Sequence, residues 1–392
     1  MIPHLTGGGC RDLPVTYGKT ATISDDDRRK VWARYNALFS SCLRLSSDNL
    51  HYLNLHGVDI TREDLLTIAT MPNLQHLWIQ PMASWSLNES LPVPALPFPK
   101  LESLQTQIDD SDNIKSCDTF LARLRPPRLE CLFLFEYVGV GSSQELRDLW
   151  ATVSAMAVSQ TLRCLVLHFR LDAFSDRIRF SDLKPLLSLS NLGCLCIILA
   201  GAALGAVEFK DQDFVAVADA WPKLGEFQLL VETGASRDEG PNVLPTMNAL
   251  VTLAKHPMLW KIGLTFDTSV AVDLPDPNWN VKELCVDGSI LRTDAIPAVA
   301  EFLSGLFPNV SRVESDRYFG GEDAWDDFHG KFDEFHAEYV ESDSGEDEEE
   351  ETDAEELRED ESGEDSDNEG GDNESIDTGK NSNSGSDTSG IL

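Results

Sequence analysis

The chain has 392 residues, of which 42% are apolar and 25% charged, and these proportions are typical of a folded protein. Its length alone would allow two or three ordinary domains. The net charge of −36 is unusual, and residues 341–392 carry −20 of it, because 22 acidic residues stand there against Arg358 and Lys380. The rest of the chain carries −16. A negative body repels phosphate, so we do not expect it to bind DNA or RNA.

Cysteine usage and hydropathy bear on the compartment. The eight cysteines include no Cys-x-x-Cys pair, and five of them fall in the strands predicted below, where a reduced cysteine acts as a small apolar residue. The start of the chain lacks a basic stretch followed by an apolar run, so no signal peptide is expected. Residues 185–207 carry no charge, but serines, an asparagine and glycines interrupt them and argue against a membrane span. We therefore expect a protein of the cytoplasm or nucleus with no membrane association.

Two segments precede the repeated part of the chain. Residues 1–23 are short and rich in glycine, and we expect them to be disordered. Residues 24–45 include DDRRKVWARYNALFSSCLRL, which predicts a helix. That helix would cap the open first edge of the array that follows it.

A short element, x-Leu-x-x-Leu-x-Leu with conservative replacements, recurs ten times along the chain. Its first apolar position falls at residues 50, 74, 101, 129, 162, 192, 224, 259, 281 and 310, a mean interval of about 29 residues. Ten copies at nearly regular spacing are not expected by chance. The period is typical of leucine-rich repeats and predicts a leucine-rich-repeat domain of about ten repeats over residues 46–315.

Prolines and helical patterns fill the intervals between these elements. In six copies a proline lies two residues before the first apolar position: Pro72, Pro99, Pro127, Pro222, Pro257 and Pro308. Segments with a helical pattern precede several of them, such as LLTIATM behind the capping box from Thr61 to Asp64. Each unit is thus predicted to be a strand, a connection and a helix. Stacked units share one core, so the predicted fold class is an α/β leucine-rich-repeat solenoid, or horseshoe, with a parallel concave sheet and a helical convex side.

Two different segments are predicted after the repeats. Five aromatic residues spaced by 3, 4, 3 and 4 residues form one stripe on a helix: Trp325, Phe328, Phe332, Phe335 and Tyr339. Residues 316–340 are therefore predicted to be an aromatic C-terminal cap helix, with a free partner-binding helix as the alternative. Residues 341–392 have too few apolar residues to fold and are predicted to be a disordered acidic tail. The tail would either keep the protein soluble or bind basic proteins.

Motifs for catalysis, cofactors and metals are not found in the sequence. Gly18-Lys19-Thr20 resembles the end of a phosphate-binding loop, but Leu13 stands where that loop needs a glycine. The chain contains no His-Glu-x-x-His, no Gly-x-Ser-x-Gly and no cysteine and histidine set with zinc spacing. His329 and His336 are interpreted as solvated helix residues rather than metal ligands. We expect no enzymatic activity, no cofactor and no metal.

The residues on either side of the second leucine in each copy should point away from the core, because side chains alternate along a strand. In the middle copies these positions are apolar, and polar residues border them on both sides. A protein partner on this concave face is the functional hypothesis; the alternative is that the tail or a loop of the chain itself covers it. The candidate partner-binding residues are Trp78, Cys131, Phe133, Cys164, Val166, Cys194, Cys196 and Gln228.

The ten repeats and the turn Trp221-Pro222-Lys223-Leu224 resemble the large fungal set of F-box/leucine-rich-repeat proteins. The segment DDRRKVWARYNALFSSCLRLS resembles the part that those proteins place just before the first repeat. The resemblance covers about residues 24–315. It implies a non-enzymatic substrate receptor of a cullin–RING ubiquitin ligase, in which the repeats hold the protein substrate.

The F-box itself should precede this region in that family, and residues 1–23 are too short and too rich in glycine to form it. We therefore expect a Skp-type adaptor to bind only if an F-box is missing from the sequence. The competing class resembles Ran GTPase-activating proteins or histone-binding nuclear proteins, which pair leucine-rich repeats with an acidic C-terminus. Those families carry a regular asparagine after the strand, which most copies here lack.

Overall fold

The structure is a computed structural model, and it describes residues 38–55, 58, 60–80, 95–108, 113–136, 142–156, 160–171, 176–202, 207–233, 243–269, 276–315 and 322–343. The chain divides into two units, Met1–Gly345 and Glu346–Leu392, and every described residue belongs to the first. The segments predicted to be disordered, residues 1–23 and 341–392, lie outside the described residues except for the first three positions of the second.

Within the described part of the chain, ten strands form one parallel sheet in which neighbours follow chain order. The strands are β1 (Tyr52–Leu55), β2 (His76–Ile79), β3 (Ser103–Ile108), β4 (Cys131–Glu136), β5 (Cys164–Arg170), β7 (Cys194–Ala202), β9 (Glu226–Thr233), β10 (Lys261–Leu264), β11 (Glu283–Cys285) and β12 (Arg312–Glu314). Two short strands outside this sheet, β6 (Ile178–Arg179) and β8 (Val207–Glu208), pair with each other. The strand order confirms the predicted leucine-rich-repeat solenoid.

The register of the sheet follows the repeated sequence element. Every strand begins two residues after the first apolar position of its copy, and these starting residues are paired across the sheet from Tyr52 to Arg312. The second leucines therefore stand side by side, as Leu104, Leu132 and Leu165 do. These three side chains are completely buried. The leucine core of the predicted solenoid is thus continuous from strand to strand.

In the described residues, a helix lies between most neighbouring strands of the ten-stranded sheet, with β2–β3 and β10–β11 as the exceptions. The helices are α1 (residues 38–46), α2 (Arg62–Ala69), α3 (Asn113–Leu121), α4 (Ser143–Ala155), α5 (Phe180–Leu183), α6 (Asp213–Ala220), α7 (Met247–Ala254), α8 (Ile296–Leu306) and α9 (Glu322–Asp343). A 3-10 turn, Lys184–Ser188, follows α5. The uncharged stretch 185–207 consists of this turn and β7 where it is described, and none of the helices in the described ranges is long and apolar enough to cross a membrane.

The two ends of the described array pack on the same hydrophobic core as its middle. In α1, Leu43 is buried, and the Ser40 hydroxyl donates a 2.5 Å hydrogen bond to Asp64, which completes the capping box with Thr61 at the start of α2. In α9, Trp325, Phe328 and Phe332 join the core cluster, and Phe335 packs against it. The described part of α1 thus ends one residue beyond the predicted cap at 24–45, and α9 ends three residues beyond the predicted 316–340.

The turn after β11 lies close to the backbone of β9 at Val231. The Thr265 hydroxyl accepts a 2.8 Å hydrogen bond from the amide of Val231 in β9 and donates a 2.6 Å bond to the carbonyl of Asp287. Gly288 follows with a φ of +71°, and a Cβ at this position would lie 2.0 Å from the carbonyl oxygen of Val231. Position 288 therefore needs glycine, both because of its left-handed backbone conformation and because a side chain would not fit against Val231.

Gly288→Ala should lower the free energy of unfolding by at least about 2 kcal/mol, since left-handed backbone alone costs alanine roughly 1–2 kcal/mol and the carbonyl contact adds to that. Gly330→Ala in α9 is the matched control, because a Cβ there meets nothing within 4 Å. In a helix that change should stabilise the protein by about 0.5–1 kcal/mol. Urea denaturation measures both effects, and an equal or higher midpoint for Gly288→Ala would contradict the described turn.

Candidate functional site

Side chains that alternate with the core leucines cover the other face of the sheet, which we call the open face. Across the described strands they form three rows. The first row is Tyr52, His76, Ser103, Cys131, Cys164, Cys194, Glu226, Lys261, Glu283 and Arg312. The second row is Asn54, Trp78, Gln105, Phe133, Val166, Cys196, Gln228, Gly263, Cys285 and Glu314. The third row, where the strands are long enough, is Gln107, Phe135, His168, Ile198 and Leu230.

Apolar side chains meet in the middle of the second and third rows and form what we call the apolar patch. It consists of Phe133, Phe135, Val166, His168, Cys196, Ile198 and Leu230. Cys196 and Leu230 are covered by their neighbours, at 7% and 3% exposure, while the other five are half-buried. The exposed part of the patch is therefore provided mainly by aromatic and branched side chains.

His168 belongs to this apolar surface rather than to a polar site. Its ring meets Phe135 edge-on, with ring centroids 6.4 Å apart and an angle of 72° between the planes. Burial lowers the pKa of His168, so the imidazole is uncharged at neutral pH. The histidine thus extends the apolar patch without adding a charge.

The third row was not predicted from the sequence, because the repeated element ends one residue before it. The four strands that carry the patch are longer than those at the ends of the sheet, with six to nine residues against three or four in β1, β2, β10, β11 and β12. The signal was present in the alternation that continues past the element in CLFLFE and CLVLHFR. Extending the period-2 pattern to the strand ends would have found Phe135 and His168.

Three cysteines of the first row lie on neighbouring strands in register: Cys131, Cys164 and Cys194. Cys164 is hydrogen-bonded to both of the others, which raises its pKa, and burial raises it further. The hydrogen bond from Cys164 lowers the pKa of Cys131. Cys194 donates to the Glu226 carboxylate over 3.4 Å. The thiols are thus connected in a line that ends at a carboxylate.

Polar residues border the patch on the side of the later strands. The Gln228 amide donates a 2.6 Å hydrogen bond to Glu226. Its stem lies over Gly263, where an added Cβ would come within 2.8 Å of the Gln228 Cγ. Gln228 is thereby held flat against the sheet at the edge of the patch.

Lys261 lies between two carboxylates of this border. Its Nζ is 3.1 Å from the nearer Glu283 oxygen and 4.0 Å from that of Glu226. Burial on its own lowers the pKa of Lys261, but the hydrogen bond to Glu283 and the charges of both carboxylates outweigh it and raise the pKa. With Arg312 on the next strand, the first row here alternates in sign from strand to strand.

All eight residues predicted as a partner site lie on the open face. Phe133 and Val166 are neighbours at the centre of the second row, with Cys196 beside them and Gln228 next in line. Trp78 is half-buried and separated from Phe133 by Gln105, so it lies outside the apolar patch. The partner-binding role of these residues stays a prediction.

The two histidines considered at the sequence level contact neighbours in the fold. His329 is 3.1 Å from the Ser315 hydroxyl, and the His336 ring stacks on Phe332. In the part of the chain that the structure describes, no group of three or more His, Cys, Asp or Glu side chains is placed to hold one metal ion.

Two of the three comparisons with known proteins find no match for the chain. No family model matches it, and no curated protein matches it. Among solved structures, internalin C2 from Listeria monocytogenes is 14% identical, with 71% of this chain and 92% of that chain covered and a TM-score of 0.30. The assignment of the leucine-rich-repeat fold therefore rests on the strand order and register of this chain.

Lys261→Met should lower the free energy of unfolding at pH 7 by about 2 kcal/mol, because the carboxylates of Glu226 and Glu283 lose their partner. Breaking a fully buried ion pair costs more, roughly 3–5 kcal/mol. The pKa of Lys261 is raised in the folded state, so its ion pairs contribute fully to stability below the unfolded-state pKa of about 10.4. The contribution is lost as the pH rises through the folded-state pKa. The difference from wild type, measured by urea denaturation, should therefore shrink above about pH 10.

The control for this change is Arg292→Met, which breaks the exposed ion pair with Asp294 (2.9 Å). An exposed pair is screened by water, so this variant should differ far less from wild type. Equal effects of the two substitutions would show that the ion pairs of Lys261 stabilise the fold no more than an exposed pair does.

Proposed function

We propose that this chain is a non-enzymatic protein-binding protein and that its partner covers the apolar patch of the open face. The observation that supports this is the half-buried group of Phe133, Phe135 and Val166 on the side of the sheet away from the core. Fully burying one side chain of this size contributes roughly 1.5–3 kcal/mol. A partner that covers three of them gains enough to offset part of the cost of association.

The polar border gives such a surface its specificity. Lys261 forms ion pairs with both Glu226 and Glu283 at the edge of the patch. An apolar centre with a polar rim is the usual anatomy of a protein interface, in which the centre supplies affinity and the rim fixes orientation. Each charged group here has a partner of opposite charge, which suits a recognition surface better than a reactive one.

The finer proposal follows the resemblance of the repeats and of the segment before them. We propose that the chain is the substrate-recognition part of an F-box-type ubiquitin ligase receptor, with the protein substrate on the open face. A Skp-type adaptor would join it only through an F-box outside this sequence. The alternative is an acidic-tailed regulator of the Ran GTPase-activating or histone-binding type, in which residues 341–392 take a basic protein.

The double substitution Phe133→Asp with Val166→Asp should abolish partner binding, because both side chains stand at the centre of the patch. An anchor at the centre of an interface is commonly worth about 2 kcal/mol or more, so we expect at least a roughly thirtyfold loss of affinity. Partners captured by the wild type are identified by mass spectrometry, and the affinity of each purified partner is then measured by titration.

Val215→Asp is the matched control, because it makes the same change at a valine that is 51% exposed on α6. Arg147 on α4 is unsuitable, since it forms a 3.0 Å ion pair with the buried Asp182. The control should keep every partner. If the folded double variant also keeps every partner, the apolar patch is not the binding site.

Removal of residues 346–392 separates the two finer proposals, and the cut lies after the end of α9. An F-box-type receptor should keep its open-face partner with unchanged affinity. An acidic-tailed regulator should lose binding to a basic protein such as a core histone, measured by titration at low and physiological salt because the attraction is electrostatic. Loss of the open-face partner on truncation would contradict the receptor proposal.

A further inference from the structure

The cysteine row of the open face, defined as Cys131, Cys164 and Cys194, has a geometry that the proposed function does not use. The three residues occupy the same register position on β4, β5 and β7, so Cys164 has a cysteine on the neighbouring strand on each side. All three side chains are half-buried, so the row is open to a small ligand. Thiols 30 or more residues apart in sequence are thus brought into contact by the repeat.

Strand geometry keeps these thiols near one another but resists a disulfide between them. Neighbouring strands lie about 4.7–4.9 Å apart, and side chains in register leave them in parallel directions. A disulfide needs Cβ atoms about 3.5–4.5 Å apart, which is closer than that spacing. Two parallel thiols at this distance suit an ion that bridges them better than a direct S–S bond.

Charges around the row favour a cation. Glu226 accepts the hydrogen bond from Cys194, and the carboxylates of Glu102 and Glu130 act on Cys131. Arg163 is the opposing charge, but it is largely exposed and lies 3.9 Å from Glu130. The thiols are therefore surrounded by more negative than positive charge.

We propose that Cys131 and Cys164 form a two-coordinate site for Cu(I). Thiolate sulfur is a soft ligand that selects soft ions such as Cu(I), and a closed-shell monovalent ion accepts two ligands in line. Zn²⁺ fits poorly, because it takes four ligands in a tetrahedron and a straight row cannot surround a point.

Binding at this site changes protonation but not oxidation state. Each thiol loses its proton as its sulfur bonds to the metal, so one Cu(I) and two thiols give one dithiolate complex and two protons in solution. No electron is transferred and no other reactant is needed. The site does not depend on the partner role of the apolar patch, which lies in the second and third rows.

The test uses the reduced full-length chain without oxygen and Cu(I) held by the coloured chelator bicinchoninate. We expect the wild type to withdraw one Cu(I) per chain. Cys131→Ser and Cys164→Ser should each weaken binding by more than about 100-fold, since the loss of even an outer-shell group commonly costs 10–100-fold in metal affinity. Cys42→Ser, which removes an exposed thiol on α1 away from the row, should bind like the wild type.

Two outcomes would overturn the proposal. One is equal uptake of Cu(I) by the wild type and by the variant with both Cys131 and Cys164 replaced by serine, with circular dichroism confirming that the variant is folded. The other needs no variant: X-ray absorption at the copper edge of the loaded wild type should show two sulfur neighbours. A shell of nitrogen or oxygen atoms instead would place the metal elsewhere.

Discussion

At eight of the nine junctions between neighbouring strands of the described sheet, one backbone carbonyl accepts two hydrogen bonds from the next repeat. The carbonyl oxygen of Gln75, for example, accepts from the amides of Glu102 (2.8 Å) and Ser103 (3.0 Å) in the next repeat. The same pair of bonds recurs at His51, Glu102, Glu130, Arg163, Gly193, Gly225 and Trp260. These acceptors stand immediately before the strands, so register is set where each strand begins. The core leucines and the open-face side chains then follow in the register that the strand ladders continue.

In four repeats, an asparagine side chain adds a further hydrogen bond to the backbone of the preceding repeat. Asn73, for example, donates through Nδ2 to the carbonyl of Asp48 (2.7 Å), which lies in the preceding repeat. Asn191, Asn280 and Asn309 make the same bond over 2.9, 3.1 and 2.6 Å. Most copies here lack the asparagine that other leucine-rich repeats carry after the strand. In these four repeats, an asparagine before the strand instead donates a hydrogen bond to a backbone carbonyl of the preceding repeat. The repeated element should therefore include the residue ahead of its first leucine.

The strand positions and their register followed from the sequence because core and open-face positions alternate from the second leucine onwards in Leu-x-x-Leu-x-Leu. The third row of the open face was missed because the repeated element stops one residue before it, although the alternation continues in CLFLFE and CLVLHFR. Gly288 was also not predictable, since its need for glycine comes from the carbonyl of Val231, 57 positions earlier in the chain. The eight candidate site residues were placed on one face by the same alternation, but contacts between them, such as the line of thiols, required the register between strands.

The separation of core and open face explains how a site can change without loss of the fold. Phe133 lies between Leu132 and Leu134, which are completely buried, yet its own side chain contributes only to the open face. A substitution there alters the surface that a partner meets and leaves the leucine core in place. The patch also lies where β5, β7 and β9 are longest, so more backbone hydrogen bonds hold its rows than hold the ends of the sheet. A rigid surface of this kind loses little conformational freedom when a partner covers it, so more of the burial energy remains as affinity.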